Sequence, residues 1–351
     1  MSRAVRSLAA VLPLVALLAL PAVAQESPDP AFSQRWPAAP STAAPRTGLQ
    51  LVDNGLPNYL ITGYWPPTNE MLRPWNTDPN QRPPGQPWVG ENWEGRGFNI
   101  YALFPEFPGG TTVNPKGNGD FEVDYQDTSN DWWGYLPQVR PLVITTFSRA
   151  NTNVGWEMEG GNIFYALSAW SPDYLAPTRP DASLPADPPN TQRWSTLPMQ
   201  AIVDAVSAQV PGVDPFISPI DTGNFLSNYI GYHGNWWRDL HAAPGDPMRC
   251  IIAGHIHVGR LTPVATGTDA TVVTLREVIR HANSLMGPRG DLDCDGDVDF
   301  DDIDPFVAAL GGAVAYYAQF PDCHYGLADI DDDGLVTFDD IDPFVSLLGG
   351  Q

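Results

Sequence analysis

Two stretches near the C-terminus carry carboxylates at the spacing a hard cation needs. One runs Asp291, Asp293, Asp295, Gly296, Asp297, Asp299 and Asp302; the other runs Asp329, Asp331, Asp333, Gly334, Leu335, Thr337 and Asp340. In a calcium loop of this kind the first, third and fifth residues supply carboxylates, the seventh a backbone carbonyl and the twelfth a carboxylate. Those ligands are Asp291, Asp293, Asp295, Asp297 and Asp302 in the first loop, and Asp329, Asp331, Asp333, Leu335 and Asp340 in the second. Glycine at the sixth position permits the sharp bend. The loops are copies of one another: Asp291–Gly312 and Asp329–Gly350 agree at 16 of 22 positions. Two calcium ions are therefore expected here, and no cofactor for catalysis.

A second group of residues has the types that acyl transfer uses. Ser227 falls where a helical pattern begins after Gly223, and a nucleophile there gains from the backbone dipole. His257 stands near the end of an apolar strand-like run, the edge where open α/β sheets gather catalytic groups. Glu157, in Trp156-Glu-Met-Glu-Gly-Gly-Asn162, follows another strand-like segment and is the candidate acid. On spacing alone these are three scattered residues, and ordinary packing roles account for them equally well.

The elements that must position them follow from periodicity. Apolar, β-branched runs at 58–64, 98–104, 141–147 and 249–258 read as buried strands. Patterns with helical spacing at 198–210, 223–240 and 270–285 alternate with them, the first capped by Ser195 or Thr196. Alternation of this kind implies a three-layer α/β/α domain with a mixed sheet over residues 51–286. A linker at 287–290 precedes a small all-α calcium domain at 291–351.

Charge sets the same boundary. The chain has 351 residues and a net charge of −23. Residues 291–351 hold 16 Asp and no Lys or Arg, so −16 of that charge lies in the tail. So acidic a protein is unsuited to nucleic acid, where phosphate contacts dominate affinity, and suited to cations. A tail this charged and this small needs a cation to fold.

Residues 1–24 read as a signal peptide: Arg3 and Arg6, an apolar run, then Ala22-Val23-Ala24 before Gln25. A Pro/Ala-rich leader fills 25–50. The expected location is secreted, periplasmic or cell-surface, without a transmembrane anchor once the signal is removed. Disulfides are permitted there, and Cys294 with Cys323 would staple the tail by about 3 kcal/mol. Cys250 opens an apolar strand and reads as an inert buried thiol.

The duplicated loops, with Asp at the twelfth position and Val298 or Val336 at the eighth, resemble the dockerin F-hand pair. That resemblance implies attachment to a cohesin-like or cell-surface protein. Phe300-Asp301 and Phe338-Asp339 stand where dockerins commonly carry a hydroxyl pair. Calcium acting only as a fold staple is the other reading.

Further motifs are carried in one order: Leu60-Ile-Thr-Gly-Tyr64, Ser195-Thr-Leu-Pro198, Thr222-Gly-Asn-Phe-Leu-Ser-Asn-Tyr229 and Gly254-His-Ile-His-Val258. They resemble segments of the pyroglutamyl peptidase I family, also called pyrrolidone carboxyl peptidase. The likeness is patchy between motifs and spans Leu60 to Leu285. It implies a Cys-His-Glu hydrolase in which Ser227 replaces the thiol, His257 is the base and Glu157 keeps the acid's distance to Asn162. It also implies a substrate pocket at Tyr64 and Pro67, where one family aromatic is lost. A thiolate forms beside a histidine, whereas a serine must lose its proton as it attacks. Three readings stand open: a serine amidohydrolase or peptidase, a non-catalytic protein binding a peptide, glycan or other ligand in the old cleft, and an unrelated α/β hydrolase or carbohydrate-active domain, the last with Trp132-Trp133 and Trp236-Trp237 available to stack on sugars.

Overall fold

A computed structural model describes residues 49–106, 119–121, 124–172, 178–180, 187–220, 223–321 and 323–349. The expected signal peptide and nearly all of the leader lie outside the described residues.

The α/β domain opens with β1 (Asn58–Thr62), a short helix α1 (Thr68–Met71) and β2 (Asn99–Leu103). Helix α2 (Tyr125–Val139) leads into β3 (Pro141–Ala150), β4 (Gly155–Glu159) and β5 (Gly161–Phe164). There follow β6 (Thr191–Trp194), α3 (Met199–Gln209), β7 (Asp214–Ser218), α4 (Leu226–Leu240), β8 (Ile252–Gly259) and α5 (Val264–Ser284). Six strands form one sheet in the order β2-β1-β3-β8-β4-β7. β1, β2, β3 and β8 are mutually parallel, and β4 runs antiparallel to β8 while pairing parallel with β7. The sheet is mixed, and β5 with β6 makes a separate antiparallel pair.

Strand alternation divides the core in two. Tyr59, Val143, Phe147, Trp156, Ile252 and Ile256 point to one face and pack with α3 and α5 through residues such as Ile202, Val206, Leu275 and Ile279. Leu60, Ile144 and Ala253 point to the other and meet Trp132 and Leu136 of α2 and Ile230 and Trp237 of α4. This is the three-layer α/β/α arrangement. Trp132 and Trp237 are wholly buried, and Trp133 packs edge-to-face on Trp236 and Trp237. The paired tryptophans are thus packing between α2 and α4, which removes the support they lent to a sugar-stacking surface.

Ser195 does not cap α3; its Oγ accepts from Leu197 N at 3.2 Å, ahead of the helix, whose N-cap is Pro198. The motif has another use. Thr196 exchanges hydrogen bonds with the Ala253 backbone, and a Cβ on Gly254 would lie 2.3 Å from Ser195 Oγ. Two segments picked out by sequence therefore meet at β8, where only glycine fits.

The C-terminal region contains α6 (Ile303–Leu310), α7 (Ala313–Tyr317) and α8 (Ile341–Gly349) around its own core, with Phe306 stacked on Phe344 at 4.2 Å. Cys294 and Cys323 form a disulfide, with Cα atoms 5.6 Å apart. Residues 287–290 are not a free tether. Gly290 N bonds Leu327 O, and Leu56 of the α/β domain joins the module's core.

Candidate functional site

Register places a polar strip on the α4 face of the sheet. In β8, His255 and His257 are two residues apart and share that face; opposite them across β4 stand Glu159 and Glu157. On the other side, β3 sets Thr146 beside His255 and Ser148 beside His257. These polar groups begin where the apolar run of the same strands ends, toward the carboxyl edge of β3 and β8.

His257 Nδ1 lies 2.8 Å from Glu159 Oε1 and 3.9 Å from Glu157 Oε2. Glu159, rather than Glu157, is therefore the carboxylate in hydrogen-bond contact with the ring. The antiparallel register puts Glu157 directly across from His257, yet the longer diagonal reach from Glu159 makes the contact. Glu159 is 1 % exposed, and its Oε2 accepts from Asn162 Nδ2 at 2.7 Å. Asn162 Oδ1 in turn accepts from Asn235 Nδ2 of α4 at 2.9 Å. Burial raises the Glu159 carboxyl's pKa, but His257, His255 and the Asn162 hydrogen bond together outweigh it and hold the group below its usual range.

His255 differs from its neighbour. Its ring nitrogens meet Thr146 Oγ1 and Ser148 Oγ, each at 2.7 Å, and burial pushes its pKa down to about 3. Its ring packs edge-on against the His257 ring at 4.9 Å. Glu159, His255 and His257 present ligand atoms within 4.8 Å of one another. With Thr146, Ser148 and Asn162 already engaging these side chains, hydrogen bonding accounts for the cluster without a metal.

Ser227 is the second residue of α4 and 7 % exposed. The helix's last turn meets the start of β8, where Cys250 N bonds His241 O, so its first turn points to the carboxyl edge. A Cβ on Gly234 would lie 3.5–3.6 Å from Ile144 and Thr146. Ser227 shares that helix face two turns earlier, roughly 10 Å further along the helix. Phe225 and Leu226, which precede Ser227, join Tyr64, Trp65, Phe164 and Trp170 in one buried aromatic cluster. Pro67 is also buried and precedes α1. The sequence-predicted pocket residues and nucleophile thus share one end of the sheet. Arg149, over the Trp65 ring at 5.7 Å, belongs to the same neighbourhood.

The acidic loops have the same internal geometry. Asp302 accepts from the backbones of Leu292, Asp293 and Asp299; Asp340 accepts from Ile330, Asp331 and Thr337. Asp291, Asp293 and Asp302, and likewise Asp329, Asp331 and Asp333, bring carboxylate oxygens within 4.8 Å. Asp291 is 4 % and Asp329 1 % exposed, and Oδ1 of each is buried without a hydrogen-bond partner. Burial and the surrounding acids push Asp329 up to about 6, against the pull of Arg289. Orphaned buried carboxylate oxygens facing other carboxylates fit a divalent cation with oxygen ligands.

No family model matches the chain, and no curated protein matches it. Among solved structures, the pyrrolidone carboxyl peptidase of Thermococcus litoralis is similar at TM-score 0.44 and 17 % identity, covering 65 % of this chain and 96 % of that one. A single-site mutant of the Pyrococcus furiosus enzyme gives 0.43 and 15 %, covering 64 % and 99 %. A further structure, from work on the Pyrococcus furiosus enzyme and its Cys-free mutant, gives 0.41 and 16 %, covering 64 % and 99 %. Likenesses at this level assign no residue a role here.

Proposed function

We propose that the α/β domain is a serine amidohydrolase or peptidase in which Ser227 is the nucleophile, His257 the base and Glu159 the group that orients it. The observation that carries this reading is the buried Glu159 carboxylate on His257 Nδ1 at 2.8 Å, held from behind by Asn162 and Asn235. Burying a carboxylate is costly, and a merely structural position is served as well by apolar packing. Holding Nδ1–H against Glu159 fixes the tautomer and leaves Nε2 as the proton acceptor.

Ser227 Oγ attacks the amide carbonyl carbon as His257 Nε2 takes its proton. The carbonyl oxygen gains the charge, and the N–H groups of the first turn of α4 are its natural donors. Collapse expels the amine, which receives the proton from His257. Water, deprotonated by the same ring, then releases the acid and regenerates Ser227. The motif resemblance points to a pyroglutamyl amide as substrate, with Tyr64 and Pro67 bordering the ring's pocket.

The C-terminal module binds two calcium ions and exposes apolar residues at equivalent positions of its two halves. Phe300 and Phe338 are 73 % and 76 % exposed, and Val307 and Val345 61 % and 58 %. Exposed apolar residues in so acidic a module suit a cohesin-like or cell-surface protein with apolar pockets and basic borders. The signal-like N-terminus supports a location outside the cytoplasm. Among the described residues no helix is long and apolar enough to cross a membrane.

A serine-directed phosphonate tests the enzyme reading. It is expected to label the full chain at Ser227, with labelling lost in Ser227→Ala and in His257→Ala. Failure of the wild-type chain to react, together with no turnover of a pyroglutamyl reporter, leaves the non-catalytic binding cleft as the better account.

A further inference from the structure

We propose that the second calcium loop is the coupling point between the two domains. A cation there fastens the module onto the α/β domain, whereas a cation in the first loop stabilises the module alone. The proposal rests on the calcium reading above and goes beyond it.

The two loops are equivalent in sequence but not in surroundings. Arg96, just ahead of β2, donates from Nη1 to Gly334 O at 2.9 Å. Gly334 has φ +85°, and a Cβ on it would lie 2.0 Å from that same nitrogen, so the guanidinium fills the space beside the loop's bend. The carbonyl after Gly334 belongs to Leu335, the seventh-position ligand. Arg96 Nε rests on Glu94 at 3.2 Å, and Glu94 also holds Arg276 of α5 at 2.6 Å. From the segment after α5, Arg289 donates to Asp329 O at 2.6 Å and pairs with the Asp332 carboxylate. Two arginines thus grip the backbone of residues adjoining or forming the ligand set. In the first loop the equivalent support comes from inside the module, where Tyr316 OH donates to Leu292 O at 2.7 Å.

The docking face continues directly into this second loop. His324 Nε2 meets Asn283 Oδ1 of α5 at 2.8 Å, and the Phe98 ring stands edge-on to His324 at 5.9 Å. Tyr325 lies against Gly97, where a Cβ would come within 2.7 Å of its ring. Four residues later the chain reaches Asp329. Without a cation, Asp329, Asp331 and Asp333 repel one another within 4.8 Å, and opening the loop to relieve that repulsion withdraws the carbonyls that Arg96 and Arg289 hold. Linkage makes the effect reciprocal: docking raises calcium affinity at the second loop by the factor by which calcium favours docking.

All twelve tryptophans precede residue 291, so tryptophan emission follows the α/β domain while the ions bind in a tryptophan-free module. The test uses the full chain, titrated with calcium chloride by calorimetry and melted with and without calcium while emission is followed. Calorimetry is expected to find two sites. Calcium should raise the emission midpoint by roughly 5 °C or more. Asp293→Asn should retain most of that rise and Asp331→Asn should lose it. Arg96→Gln should still bind two ions, with the second-loop affinity about tenfold weaker and the midpoint no longer responsive. Two bound ions with an unmoved midpoint, or equal losses from the two loop variants, would overturn the coupling. No calorimetric binding at all would overturn the calcium reading itself, and this proposal with it.

Discussion

A carboxylate that is 1 % exposed needs partners on both oxygens, and Glu159 has them in His257 and Asn162. Glu157 points to the same face but is 19 % exposed, 3.9 Å from the ring. Removing the charge from Glu159 leaves His257 free to take the wrong tautomer. Glu159→Gln is therefore expected to lower kcat/KM by about 10²–10⁴, and Glu157→Gln by less than about tenfold, read with an amide reporter. Equal losses would assign both acids to one job. Sequence spacing could not choose between the two glutamates, because residues two apart in a strand face the same way and only side-chain reach separates them. The candidate serine and histidine and the two acidic loops were legible as candidates, since they stand out by local pattern. Asn235 was not, because its contact with Asn162 spans 73 residues.

At the scale of elements, β1, β2, β3 and β8 were readable because strands buried on both faces form continuous apolar runs. β7, with Pro215 inside and partly exposed residues, has no such run, and α2 carries Gly134 and Pro137 that break a helical pattern on paper. Helix α4 is gauged against the sheet by small residues. A Cβ on Gly231 would fall 2.7 Å from Asn162 Nδ2, so Gly231→Ala must displace either the helix or the amide that holds Glu159. The expected cost is about 1–3 kcal/mol of stability, together with a loss of activity larger than that stability change explains. Chemical denaturation and single-turnover kinetics on one sample separate the two. A variant of native stability and native rate would show that the helix has slack. Because Asn162 limits α4 and also binds Glu159, Gly231→Ala and Asn162→Ala should be strongly non-additive.

For the whole molecule, three buried histidines set the response to acid. His233 and His324 are pushed down to about 4 and His255 to about 3, in each case chiefly by burial. Their unfolded forms titrate near 6.5, so between that pH and about 4 the unfolded chain binds more protons than the folded one. Stability should accordingly fall as pH drops through this window, by up to about 1.4 kcal/mol per pH unit for each histidine. Asp120 and Asp329 act in the opposite sense, since burial raises each to about 6 and their contribution is lost on going up from 3.8 through that value. Three downward histidines against these two upward carboxyls leave a net loss on acidification, measurable as the urea midpoint at pH 7 and pH 5. His324 sits in the interface between the domains, so His324→Asn should flatten part of that slope.

Cys250 has a consequence of its own. It is the one free cysteine among the described residues, wholly buried two residues before the central strand β8, with burial raising its thiol pKa far above the ordinary value. The other two cysteines are locked together inside the module, so the protein carries a single thiol timer and no competing one. A thiol reagent can reach that sulfur only when the sheet itself comes apart. The rate at which the reagent is consumed therefore counts full openings of the α/β domain, one event at a time, under conditions where every equilibrium probe reports a folded chain.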